Sequence, residues 1–208
     1  AVNNNGTGAI TTSGTGTVAI QGSVGNETVT LSNMSTLTGD IILGAGNDIV
    51  TIQDDATATG NVDLGDGTNQ FAIRGTADLT GTILGGAGND AVTITDDSTV
   101  IGDIDLGTGT NTLTIDTTAD YSGTITAGDG NDTVTLTGTA STLTGDMSLG
   151  GGDDTVTMDG SATAGGNVDL GDGTNTFNIN DTAVLTSTIT GGADGDAVNI
   201  TNNAIVGG

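Results

Sequence analysis

The 208-residue chain has no cysteine, proline, histidine, lysine or tryptophan, and it carries one arginine, Arg74, and one tyrosine, Tyr121. Without cysteine there are no disulfides and no thiolate chemistry. Without histidine, lysine or cysteine, the usual catalytic bases and nucleophiles reduce to carboxylates and hydroxyls, so no enzyme is expected and no catalytic residue is assigned. Twenty-six acidic residues against one basic residue give a formal net charge of −25. A field of that sign repels nucleic acid and anionic membrane surfaces and attracts cations. No apolar run reaches the roughly 18 residues of a spanning helix, so membrane insertion is not expected. The opening AVNNNGTG lacks the basic and apolar regions of a signal peptide. A mature secreted protein, or a segment of a larger surface protein, would have this composition.

What the chain has in abundance is glycine, 38 residues, with many Thr, Asn and Asp, while apolar residues make up 33% and aromatics 1%. Such a composition resembles that of disordered segments, but its order along the chain does not. The stretch GNVDLGDGTNQFAI at 60–73 returns as GNVDLGDGTNTFNI at 166–179. Aligned on its glycine-rich turn, coils begin at Thr38, Thr59, Thr80, Ile101, Ser122, Thr144, Gly165 and Thr186, spaced by 21 residues except for one coil of 22 at 122–143. An earlier coil fits at 17–37, and residues 1–16 read as a degenerate lead-in or incomplete coil. A fixed period of this length marks a solenoid, in which each coil buries its apolar side only by stacking on its neighbours.

Within a coil, position 4 reads Ile41, Val62, Ile83, Ile104, Ile125, Met147, Val168, Ile189, and position 15 reads Ile52, Ile73, Ile94, Ile115, Leu136, Met158, Ile179, Ile200. Position 13 is equally apolar, from Val50 and Phe71 to Phe177 and Val198. The pairs 4/6, 13/15 and 19/21 have the two-residue alternation of half-buried strands. The expected fold is therefore all-β: a parallel β-helix, or β-solenoid, of about nine coils with three short strands each, forming one domain over 17–208. Its hand is expected to be right, by the preference of parallel crossovers. At about 4.8 Å per coil the rod would be roughly 43 Å long. The 106-residue offset between the two long repeats equals five coils plus one residue inserted near Ser141, as though a five-coil block had been duplicated.

Positions 7 to 11 form one corner and 16 to 18 another. Position 7 is glycine in all eight coils, which suits a positive φ or a backbone packed tightly on its neighbour. The G-x-G-N-D sequence at 44–48, 86–90 and 128–132 resembles the GGxGxD turn of RTX proteins, and the same turns resemble those of bacterial autotransporter passengers and large surface adhesins. The second resemblance runs from Thr17 onward and implies a bacterial cell-surface or extracellular location with a host or cell-surface ligand left unspecified. The RTX resemblance implies calcium held by Asp48, Asp66, Asp90, Asp132, Asp154, Asp172 and Asp196 with backbone carbonyls. The fit to RTX is partial. RTX rolls repeat every nine residues with two such turns per coil, and position 11 here alternates Asp with Asn at Asn69, Asn111 and Asn175. A metal-free ladder of Asp and Asn is the competing reading, and no cofactor is then required.

Three further features bear on function. The acidic pairs Asp54-Asp55, Asp96-Asp97 and Asp153-Asp154 are the nearest candidates for polysaccharide-hydrolase chemistry, but the first two recur in the same corner two coils apart, as turn residues would. Position 14 carries Thr51, Thr93, Thr114, Thr135 and Thr157, and position 12 adds Thr112, Thr133, Thr155 and Thr176, an array resembling ice-binding solenoid faces, interrupted by Ala72, Gln70 and Ile49. Arg74 is expected either to pair with Asp54 or Asp55 one coil below or to be a tolerated surface residue; it is the one trypsin site. The last coil ends in the apolar residues Ala204, Ile205 and Val206 with no cap, so either the segment belongs to a longer solenoid or its ends pair head to tail with other copies; end-to-end self-association is the preferred expectation, since an uncovered solenoid edge is a template for further strands.

Overall fold

Alternating Val, Ile, Leu and Thr make strands because β-branched side chains suit a pleated, half-buried surface. In a computed structural model, which describes residues 20–139 and 141–207, these segments form 27 short strands and no helix. The lead-in at 1–16 lies outside the described residues.

The strands form three parallel sheets of nine. One coil shows how they connect: Ile41–Ile42 lies in the first sheet, Ile49–Ile52 in the second and Thr57–Thr59 in the third. The chain then enters the next coil, where Val62 sits beside Ile41, Phe71 beside Val50 and Leu79 beside Ala58. The protein is thus a parallel β-solenoid of about nine coils with three strands per coil. Like positions stack on like throughout, offset by 21 residues in most coils. The offset becomes 22 between Asp120 and Thr142, while Thr112 still meets Thr133 at 21. The extra residue therefore lies in the corner at 137–141.

One continuous apolar column fills the coil interior. Ile41, Leu43, Val50, Ile52, Ala56 and Ala58 supply it in one coil, and each is at most 2% exposed. Position 6 continues with Leu64, Leu106, Leu149 and Leu170, and the two phenylalanines lie in position 13. Tyr121 is the largest buried side chain, and its hydroxyl donates to the Thr124 carbonyl at 2.6 Å, so the phenol enters the core without an unpaired polar group. Its pKa is raised, mainly by burial and further by the nearby Asp103 charge.

Candidate functional site

The glycine-rich corner concentrates most of the candidate residues, and its backbone decides which way they point. Gly65 takes a φ of +78°, and a Cβ there would stand 1.7 Å from the Gly44 carbonyl oxygen one coil below. Its neighbour two residues on, Gly67, has a φ of +136°. Left-handed and extended-positive glycines in succession turn the chain sharply, so consecutive side chains at positions 10 and 11 leave the corner in opposite directions along the rod.

Position 10 reaches toward the next coil. The Asn47 Oδ1 accepts the Thr68 N–H at 3.0 Å, Asn89 accepts from Thr110 at 2.9 Å, and Asn131 accepts from Asp153 at 3.0 Å. Position 11 reaches back. The Oδ1 of Asn69, Asp90, Asn111, Asp132, Asp154 and Asn175 accepts the N–H of the residue at the same position one coil earlier, at 2.7 to 2.9 Å. Asp48 closes onto Glu27 N–H at 2.6 Å, and Asp196 accepts from Asn175 at 3.1 Å. Two antiparallel series of side-chain rungs thus clamp every corner to both neighbours, satisfying amides that the strands leave unpaired.

The seven acids expected to hold calcium divide into two sets. Asp48, Asp90, Asp132 and Asp154 are no more than 2% exposed, and Asp196 is half-buried. Asp66 and Asp172, at position 8, are exposed on the outside of the same corner. The structure therefore aligns the position-11 acids in one interior file and leaves the position-8 acids out of it. Among the described residues no three acidic side chains converge on one point. Asp132 and Asp154 are the only two position-11 aspartates in consecutive coils.

Each buried aspartate uses Oδ1 and leaves Oδ2 sealed from solvent with no donor in reach, at Asp48, Asp90, Asp132 and Asp154. Burial raises all four pKa values, to about 6 at Asp132 and Asp154. The N–H rung each accepts opposes that rise. Glu27 beside Asp48, Asp154 beside Asp132 and Asp153 beside Asp154 add like-charge repulsion. Asp103, on the exposed corner at position 3, behaves oppositely: the Thr124 N–H holds its carboxylate below the ordinary range.

The acidic pairs are also taken up by rungs. Asp54 Oδ2 accepts the Asn33 N–H and Asp96 Oδ2 accepts the Gly75 N–H, both at 3.0 Å, while Asp55 and Asp97 bond the Thr76 and Thr118 hydroxyls. Arg74 does not reach these carboxylates. Its Nε and Nη2 donate to the Gln53 Oε1 at 3.2 and 2.5 Å, because the register stacks position 16 on position 16. The Thr row at position 14 lies in register on the second sheet, from Thr51 through Thr157, with Ala72 breaking it.

Burial of position 11 had a signal in the sequence. From 48 onward that position is only Asp or Asn, whereas position 10 also admits Thr68, Thr110, Thr174 and Gly195. A side chain that must both fit a closed corner and accept an N–H is restricted in just this way.

Comparison with protein families, with curated proteins and with solved structures finds no match.

Proposed function

We propose that this chain is an extracellular structural protein of a bacterial surface, a rigid rod that serves as spacer, adhesin passenger or fibre subunit and stacks end to end with further copies. One observation carries the reading: polar side chains at five corner positions are engaged with neighbouring coils. Asp, Asn and Thr at positions 3, 10, 11, 17 and 18 form inter-coil rungs, as in the Asp40–Asn61, Asn47–Thr68 and Asp55–Thr76 pairs. Such a molecule invests its chemistry in axial continuity. The coil-on-coil register supports the stacking, since like position meets like from one coil to the next. Val198, Ile200 and Val206 occupy interior positions but are 44%, 53% and 37% exposed, while their counterparts Phe177, Ile179 and Leu185 are buried. An interior face of this kind accepts another coil in the same register, whether of this chain or of a further copy.

Sedimentation across a range of concentrations tests the proposal. The expected result is a series of species larger than the 20.0 kDa chain, growing with concentration and with salt as the self-repulsion of an acidic rod is screened. The double substitution V198D/I200D should leave a monomer. A wild-type chain that stays monomeric at every concentration and salt level contradicts end-to-end stacking.

A further inference from the structure

The position-11 file contains an internal comparison. In the asparagine coils the amide nitrogen has a partner: Asn69 Nδ2 donates to the Gly65 carbonyl at 3.0 Å, Asn111 Nδ2 to Gly109 at 3.2 Å, and Asn175 Nδ2 to Gly171 at 3.3 Å and Gly173 at 3.4 Å. All of these acceptors are the glycines of the same corner. In the aspartate coils glycines with positive φ stand at the equivalent places: Gly44 and Gly46, Gly86 and Gly88, Gly128 and Gly130, Gly150 and Gly152. The Oδ1 makes the same rung. The Oδ2, the atom that corresponds to the amide nitrogen, is buried and without any donor.

An ionised carboxylate in that place would turn a bare acceptor toward a corner whose nearby groups are themselves carbonyl acceptors, with no water to solvate it. The groups along the file offer no relief. Asp48 lies between Glu27 and Asn69, Asp90 between Asn69 and Asn111, Asp132 between Asn111 and Asp154, and Asp154 between Asp132 and Asn175. Asp153 adjoins Asp154 on the outer side of the corner, and Asp66, Asp129 and Asp172 line the exposed edge at position 8. The chain's one basic side chain, Arg74, is in a different corner, on Gln53. A carboxylic acid, by contrast, has the shape and donor pattern of the asparagine amide: one oxygen accepts and the other, carrying a proton, donates.

We propose that Asp48, Asp90, Asp132 and Asp154 are proton-binding sites in the folded rod, each held as a neutral carboxylic acid whose Oδ2–H donates to a glycine carbonyl of its own corner. Each takes up one proton from solvent on folding and returns it when the corner opens. The rod is consequently a proton-responsive structure. The burial-raised pKa values agree, and the sign follows. A folded-state pKa above the unfolded 3.8 means that the folded chain holds more protons between the two values, so stability falls as pH rises through about 6 and levels off above it. The coils around Asp132 and Asp154, with two such sites in succession, are the joint that loosens first.

The test compares two double variants of equal charge, D132N/D154N inside the corner and D66N/D172N on its outer edge, with the wild-type chain, by thermal midpoint from about pH 5 to about pH 8. The interior variant should be several degrees more stable than the exterior one near pH 8, with a flatter pH profile. Infrared difference spectra of the wild-type chain should show a protonated carboxylic acid band near pH 5.5 that is weaker in the interior variant, where Asp48 and Asp90 remain, and undiminished in the exterior variant, a readout that does not depend on stability. Equal behaviour of the two variants, or no such band, overturns the proposal. So does a wild-type midpoint at pH 8 that rises with added calcium, if D132N/D154N loses that response, because a cation rather than a proton would then occupy the corner.

Discussion

At the scale of single residues, the rod is governed by what each corner position tolerates when coils stack at strand spacing. Gly65 meets the Gly44 carbonyl so closely that a methyl group has no place, and its φ of +78° disfavours any other residue. Gly65→Ala should cost on the order of 3 kcal/mol or more, from overpacking and backbone strain together, measured as a lower denaturation midpoint. Position 17 makes a related demand. It has positive φ at Asn33, Asp54, Asp96 and Asp181, and at Gly75, Gly138 and Gly160, residue types that accept that conformation. Thr117 is the exception, a β-branched residue at +65°, where it stays because its hydroxyl oxygen accepts the Asp96 N–H at 2.5 Å. Asparagine keeps an acceptor and tolerates the left-handed region. Thr117→Asn should therefore stabilise the chain by about 1 kcal/mol, a rise of roughly 2–4 °C in thermal midpoint; an unchanged or lower midpoint would show that the threonine is not strained.

At the scale of the coil, the parts set by periodicity were legible in the amino-acid sequence and the parts set by corner geometry were not. Ile41, Val50 and Ile52 announced the interior because a period of two within strands and 21 between them leaves one face for apolar residues. The interruption near Ser141 was equally visible, and the register places it at the corner at 137–141. The direction of Asp132 was legible only in part: the restriction of position 11 to Asp and Asn marks a constrained place, but not which way the side chain turns. Turn-rich, acidic segments read as solvated, and only the φ angles of the flanking glycines determine that position 10 faces the next coil while position 11 turns inward. Arg74 is the exposed residue that one of its two sequence readings expects, and only the pairing reading fails. Charge pairing suggested Asp54 or Asp55, but those carboxylates are engaged by the Asn33 amide and the Thr76 hydroxyl, and strict stacking hands the guanidinium Gln53 instead.

At the scale of the whole molecule, three nine-stranded sheets share one interior, so most strands are paired on both sides and no inner coil opens without breaking ladders above and below it. Resistance to proteolysis is one consequence. The Arg74 side chain is exposed, but its amide is bonded to the Ile52 carbonyl at 3.0 Å, and a protease needs several residues in an extended, unpaired conformation. Folded protein should survive trypsin under conditions that cut the urea-unfolded chain once, after Arg74; rapid cleavage of the folded chain would place that corner among the locally unfolding parts. Continuity is the other consequence. Rungs and strand registers repeat from coil to coil across the described residues, so the same contacts suit a further coil supplied by another copy. Electron microscopy of the purified chain at moderate salt tests this most directly. Straight, unbranched filaments one rod in width are expected, lengthening with concentration, whereas separate particles only about nine coils long, at every concentration, would contradict a self-stacking structural rod.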